Sequence, residues 1–111
     1  MHSALLVCHV SSEIGIGHLS RLLALAGTLK KDKNIIPEFL IFGDFIKKDE
    51  LANFTVHAFS LTDDFVASIE NILEMNNFDA LIFDLYPRHN VDNLGELFIQ
   101  LKRRNICLIS I

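Results

Sequence analysis

Short apolar runs alternate along this chain with stretches whose apolar residues recur every three or four positions, and that alternation restricts the fold more than any other feature. Ala4 to Val10 is apolar at nearly every position and rich in β-branched residues, which is the pattern of a strand buried on both faces. Leu19, Leu22, Leu23, Ala26 and Leu29 then follow helical spacing, and Lys30-Lys31 suit the negative end of a helix. Ile35 to Phe42 reads as a second strand stopped by Gly43-Asp44, and Lys47 to Asn53 as a short helix. Phe54 to Phe59 alternates as a third strand, and Thr62-Asp63-Asp64 marks the start of a helix over Phe65 to Met75. Ala80 to Phe83 is a fourth strand ending in Asp84-Leu85-Tyr86-Pro87. Val91 to Lys102 is helical through Leu94, Leu97, Phe98 and Leu101, and Ile106 to Ile111 is a fifth, buried strand. Strands separated by helices of this length predict an α/β fold, a Rossmann-like parallel sheet with flanking helices.

The 111 residues suit one domain, 1–111, and half of them are hydrophobic, which excludes a disordered chain. Ile111 falls inside a run read as a buried strand, and no helix follows to cover it. A parallel sheet needs both faces covered, so we expect the amino-terminal part of a larger, two-domain protein. The formal net charge is −4 and the basic residues form no block beyond Lys30-Lys31 and Arg103-Arg104, which argues against a nucleic-acid partner. No run approaches the ~18 consecutive apolar residues of a membrane span, and Met1 to Val10 lacks the basic start and cleavage site of a signal peptide. A cytoplasmic protein is the resulting expectation. Cys8 and Cys107 both fall in apolar runs and read as buried, reduced thiols. No Cys/His spacing suggests a metal, and no cofactor is expected.

The chemistry concentrates in Ser11-Ser12-Glu13-Ile14-Gly15-Ile16-Gly17-His18-Leu19-Ser20-Arg21, where the first strand passes into the first helix. Three readings of it stand on the residues alone. Gly15-x-Gly17-x-x-Ser20 is close to a dinucleotide fingerprint, with Asp44 where a ribose-binding acid belongs, but the third glycine is missing and Ser11 to Ile14 separate the strand from Gly15. A P-loop is excluded, since no Gly-Lys-Ser/Thr follows. In a purely structural reading the glycines permit positive φ and His18 is an ordinary first-turn residue. In a catalytic reading His18 and Arg21, three residues apart, share one helix face directed at the carboxyl edge of the sheet, where open α/β folds place ligands. A helix N-terminus disfavours an imidazolium, and a neutral imidazole is what a general base requires. Arg21 then holds an anionic group or orients a carboxylate.

The segment Ser12 to Arg21, with Leu22-Leu23-Ala24-Leu25-Ala26 after it, resembles the G-x-G-H-x-x-R opening of GT-B-type nucleotide-sugar enzymes. The likeness is to family-28-like glycosyltransferases and to the UDP-sugar hydrolase of pseudaminic acid synthesis. Phe78 to Pro87 resembles the strand-Asp-x-aromatic segment that follows in those proteins. The resemblance covers nearly the whole chain and implies the amino-terminal, acceptor-side half of a GT-B architecture, its site in a cleft shared with a second domain. It implies His18 as the catalytic base toward an acceptor hydroxyl, or toward water in the hydrolase. Gly15, Gly17, Arg21, Asp84 and Tyr86 would be substrate-binding residues, and no metal is needed. The implied partners are a nucleotide-sugar donor, UDP-linked, and a sugar or lipid-linked acceptor. A non-catalytic Rossmann-like module, or a partner subunit for a separate nucleotide-binding chain, is the alternative from another class.

Of the other polar residues, Asp84 reads either as a cleft residue or as a turn aspartate, and Glu13 is a second carboxylate near His18. His9 reads as a core or edge histidine; His2, His57 and His89 as surface or turn residues; and the nine phenylalanines as core.

Overall fold

A run that is apolar at every position is satisfied only where both of its faces are covered, and the first run of this chain occupies that place. The computed structural model describes residues 2–10, 17–43, 49–60, 62–84 and 94–111. In chain order these form β1 (His2–Val10), α1 (Gly17–Asp32), β2 (Ile35–Gly43), a 3-10 helix (Asp49–Asn53), β3 (Thr55–Phe59), α2 (Phe65–Met75), β4 (Ala80–Asp84), α3 (Leu94–Arg103) and β5 (Cys107–Ser110). The strands make one parallel sheet in the order β3-β2-β1-β4-β5. β1 is central, and Ala4 through Val10 are all buried. The fold is α/β and Rossmann-like: a five-stranded parallel sheet flanked by three helices.

The sheet divides the core in two. Ala4, Leu6, Cys8 and Val10 of β1 pack with Leu19, Leu22 and Ala26 of α1 on one face. Leu5 and Val7, on the opposite face, pack with Phe65, Val66, Ile69, Ile72 and Leu73 of α2 and with Leu97 and Leu101 of α3. Each fully buried Leu, Ile, Val or Phe side chain among them stabilises the fold by about 1.5–3 kcal/mol. The faces follow from handedness. β2 and β5 lie on opposite sides of the β1–β4 pair, so right-handed crossovers send α1 and α3 to opposite faces. The carboxyl ends of β1 and β4 are therefore the topological switch point of the sheet, the place at which such sheets bind ligands.

Helix α2 begins and ends as its pattern predicts. Asp64 caps it by accepting a hydrogen bond of 2.9 Å from the Ala67 amide, while Asp63 accepts one from the Ser60 amide and closes the preceding turn. Gly43 closes β2 with φ 127°, a conformation that a side chain would strain.

Three expectations are corrected. β5 is an edge strand, not a buried one: Cys107, Ile109 and Ser110 are exposed and Leu108 is half-buried, because α3 covers only the Leu108 side. Cys107 is accordingly an exposed thiol. Phe98 points outward from α3 at 45% exposure, since Leu97 and Leu101 already fill the face toward the sheet. The span 91–93, read as the start of that helix, lies outside the described residues.

Candidate functional site

Asp84 is the last residue of β4, and alternation decides which way it faces. Leu81 and Phe83 point into the α2–α3 core and Ile82 into the α1 core, so Asp84 turns toward α1. It pairs in register with Cys8 of β1 and is 1% exposed. Above it stands the first turn of α1. His18 and Arg21, three residues apart on one helix face, both reach down to the Asp84 carboxylate.

Arg21 grips Asp84 with two parallel hydrogen bonds, Nε donating to Oδ2 at 2.8 Å and Nη2 to Oδ1 at 2.8 Å. Oδ1 also takes the closest polar contact of the site, from His18 Nδ1. Arg21 Nη2 lies 2.9 Å from the same Nδ1. A carboxylate in so dry a position is costly unless charge-assisted hydrogen bonds satisfy it, and here both oxygens are occupied. Burial pushes the Asp84 carboxyl up, but the hydrogen bonds from Arg21 and His18 and their charges outweigh it, holding the group below the usual carboxylate range. The same pairing raises Arg21 further above its ordinary value. Cys8, by contrast, is pushed up to about 12 by burial and by the neighbouring Asp84 charge, so it sits beside the site as a neutral thiol and no nucleophile.

His9 is buried on the other face of β1, its ring 5.8 Å from those of Phe42 and Phe65, and it backs the sheet from the face opposite Asp84 as a core histidine. Phe42 and Phe65 lie 5.0 Å apart, and Phe83 stands edge-on to Phe65 at 5.7 Å. This packed aromatic floor fixes the strand ends that carry Asp84.

The structure thus brings together three residues singled out in the sequence: His18, Arg21 and Asp84. Asp84 is the buried last residue of a strand, and Arg21 holds its carboxylate. Gly17 is the first residue of α1, and a Cβ built on it meets nothing within 4 Å. Among the described residues, then, nothing crowds that position. Gly15, Glu13, Asp44, Tyr86 and His89 lie outside the described residues. Among the described residues, no group of three or more His, Cys, Asp or Glu side chains could hold a metal ion, and no helix is long and apolar enough to cross a membrane.

Sequence reasoning missed one polar pair. His57, expected on the surface or in a turn, is half-buried in β3 with Nε2 3.0 Å from Glu38 Oε1 on β2. Glu38 interrupting an otherwise apolar strand was the available signal. His2 is exposed, as expected, with Nδ1 3.4 Å from Asp79 Oδ2. No protein-family model, no curated protein and no solved structure matches this chain.

Proposed function

We propose that this chain is the acceptor-side domain of a nucleotide-sugar-dependent glycosyltransferase, with His18 as its general base. The observation that carries the reading is the contact between His18 Nδ1 and the buried Asp84 carboxylate at the switch point of the sheet. An ionised Asp84 can only accept, so Nδ1 carries the proton and the basic lone pair of the neutral ring is on Nε2. In the reaction Nε2 takes the proton of an acceptor hydroxyl as its oxygen forms the new bond to the anomeric carbon. The bond from that carbon to the diphosphate oxygen breaks, and its electron pair leaves with the nucleoside diphosphate. Asp84 stabilises the imidazolium that results. The amino end of α1 favours an anion, which suits a departing diphosphate.

The resemblance of Ser12 to Arg21 to nucleotide-sugar enzymes supports a UDP-linked sugar as donor and a sugar or lipid-linked hydroxyl as acceptor, and the cytoplasm is the location we propose with it. Nucleotide release from UDP-linked sugars, with and without added acceptor sugars, tests the reading on the protein isolated from its own cells. His18→Ala should lower release by about 10²–10⁴-fold with the fold intact. Release unchanged in that variant would take His18 out of the mechanism, and no release by the wild-type protein would remove the sugar chemistry itself.

A further inference from the structure

The geometry points to Arg21 as a positioning residue: by its two-pronged grip on Asp84 it fixes His18 in the Nδ1-protonated tautomer and so leaves Nε2 as the basic nitrogen. The inference rests on the proposed function only in taking His18 as the base. Of the two sequence expectations for Arg21, it favours the orienting of a carboxylate over the holding of an anionic group.

A carboxylate at the end of a strand can turn about its last bond, and a single partner does not stop it. Arg21 does, because Nε and Nη2 meet one oxygen each at 2.8 Å and define the plane of the group. With that plane set, Oδ1 faces His18 Nδ1 and Oδ2 is held away from it. The helix supplies the rest of the rigidity. His18 and Arg21 stand one turn apart on α1, which Leu19, Leu22 and Ala26 anchor to the sheet. Imidazole, guanidinium and carboxylate are thus held by two elements whose packing leaves little play.

The proton at Nδ1 follows from what Asp84 and Arg21, the two groups beside that nitrogen, can do. Nδ1 lies within hydrogen-bond reach of Asp84 Oδ1, which only accepts, and of Arg21 Nη2, which only donates. One nitrogen cannot serve both. A lone pair on Nδ1 would face the lone pairs of a charged oxygen at the closest contact of the site, whereas a proton there completes a charge-assisted hydrogen bond. Nη2 in turn has its own acceptor in Oδ1 at 2.8 Å. Arg21 therefore acts on the imidazole through Asp84. Its charge also cancels that of Asp84, so the clamp adds no net charge beside the ring, and the neighbouring Cys8 thiol adds none. The Nε and Nη2 edge of Arg21 is occupied by this role even though its side chain is 57% exposed. A lysine would supply the charge but not the fork.

The test is the tautomer itself, read from long-range ¹H–¹⁵N correlations of the His18 ring in the isotope-labelled 111-residue chain at pH 8, without any substrate. The wild-type ring should favour Nδ1–H by about tenfold or more, the ratio a hydrogen bond to a charged group commands. Arg21→Met should lose that preference, and Arg21→Lys should not restore it. Arg21→Gln serves in place of the methionine variant if the latter fails to give a folded amide spectrum. Asp84→Asn should lose the preference as well. A wild-type ratio in folded Arg21→Met, or full recovery in Arg21→Lys, would overturn the proposal. Where turnover is measured, kcat should fall with KM unchanged in Arg21→Met; a raised KM at constant kcat would mean that Arg21 touches substrate, and would overturn it too. A chain with no turnover that still shows the tautomer loss removes the sugar chemistry and leaves the role of Arg21 standing.

Discussion

Asp84 carries its charge at a place almost without water, 1% exposed, and every consequence at the scale of single residues comes from how that charge is kept. Its carboxyl lies below the ordinary range in the folded protein, whereas in the unfolded chain it returns to about 3.9. The unfolded state therefore binds the proton more readily. The stability that Asp84 contributes is fully present above about pH 4 and is lost as pH falls through the lower folded value. Asp84→Asn should accordingly lessen the fall in unfolding free energy between neutral pH and about pH 3, measured by urea titration at a series of pH values. A variant with the same acid dependence as the wild type would mean that the ion pair contributes nothing to the acid limb. Asp79 must be allowed for in that comparison, because the Ser3 amide holds its carboxyl low and its contribution has the same sign.

At the scale of elements, what could be read in the sequence was local and what could not was a matter of neighbours. Helix α2 was legible from Phe65 to Met75 because its start is written in the chain: Asp64 bonds the Ala67 amide, and the apolar face begins at once. That cap is worth about 1 kcal/mol, so Asp64→Ala should lower unfolding free energy by about 0.5–2 kcal/mol in a denaturant titration, with no change in the spectrum of the folded state. A loss well under 0.5 kcal/mol would mean that α2 is held by its packing alone. The site shows the other case. His18 and Arg21 could be matched by their spacing of three, and Asp84 was visible as a strand-end acid. What joins them is the insertion of β4 beside β1 in place of a sequential neighbour. Periodicity carries no strand order, so the carboxylate that Arg21 orients had no address. β5 failed for the same reason: Ile106 to Ile111 is as apolar as a central strand, and only its place at the margin exposes it.

Among the described residues the sheet is unevenly covered, and its barest part is the β5 edge on the side of the candidate site. Helix α1 packs over β1, β2 and β4, while α2 and α3 cover the opposite face, where Leu108 is half-buried against the core. Ile109 pairs in register with Ile82 and so faces the α1 side, yet Ile82 is 4% exposed and Ile109 is 45% exposed. Cys107 shares that side by alternation, and Ile111, 58% exposed, follows the strand with its amide bonded to Phe83 O. Neither charge nor proline interrupts the run from Ile106 to Ile111, and an apolar edge without such gatekeepers invites pairing with other chains. Ile109→Thr should keep strand propensity while removing apolar surface that already meets water. Its unfolding free energy should stay within about 0.5 kcal/mol of the wild type, and self-association in sedimentation velocity at high protein concentration should fall. The same measurements separate the two states of this face. A loss of about 2 kcal/mol or more, the size expected from a buried isoleucine, would mean that the side of β5 bearing Ile109 is covered in solution. Unchanged stability with reduced association would mean that the edge is open, and that an apolar surface borders β4, the strand that carries Asp84.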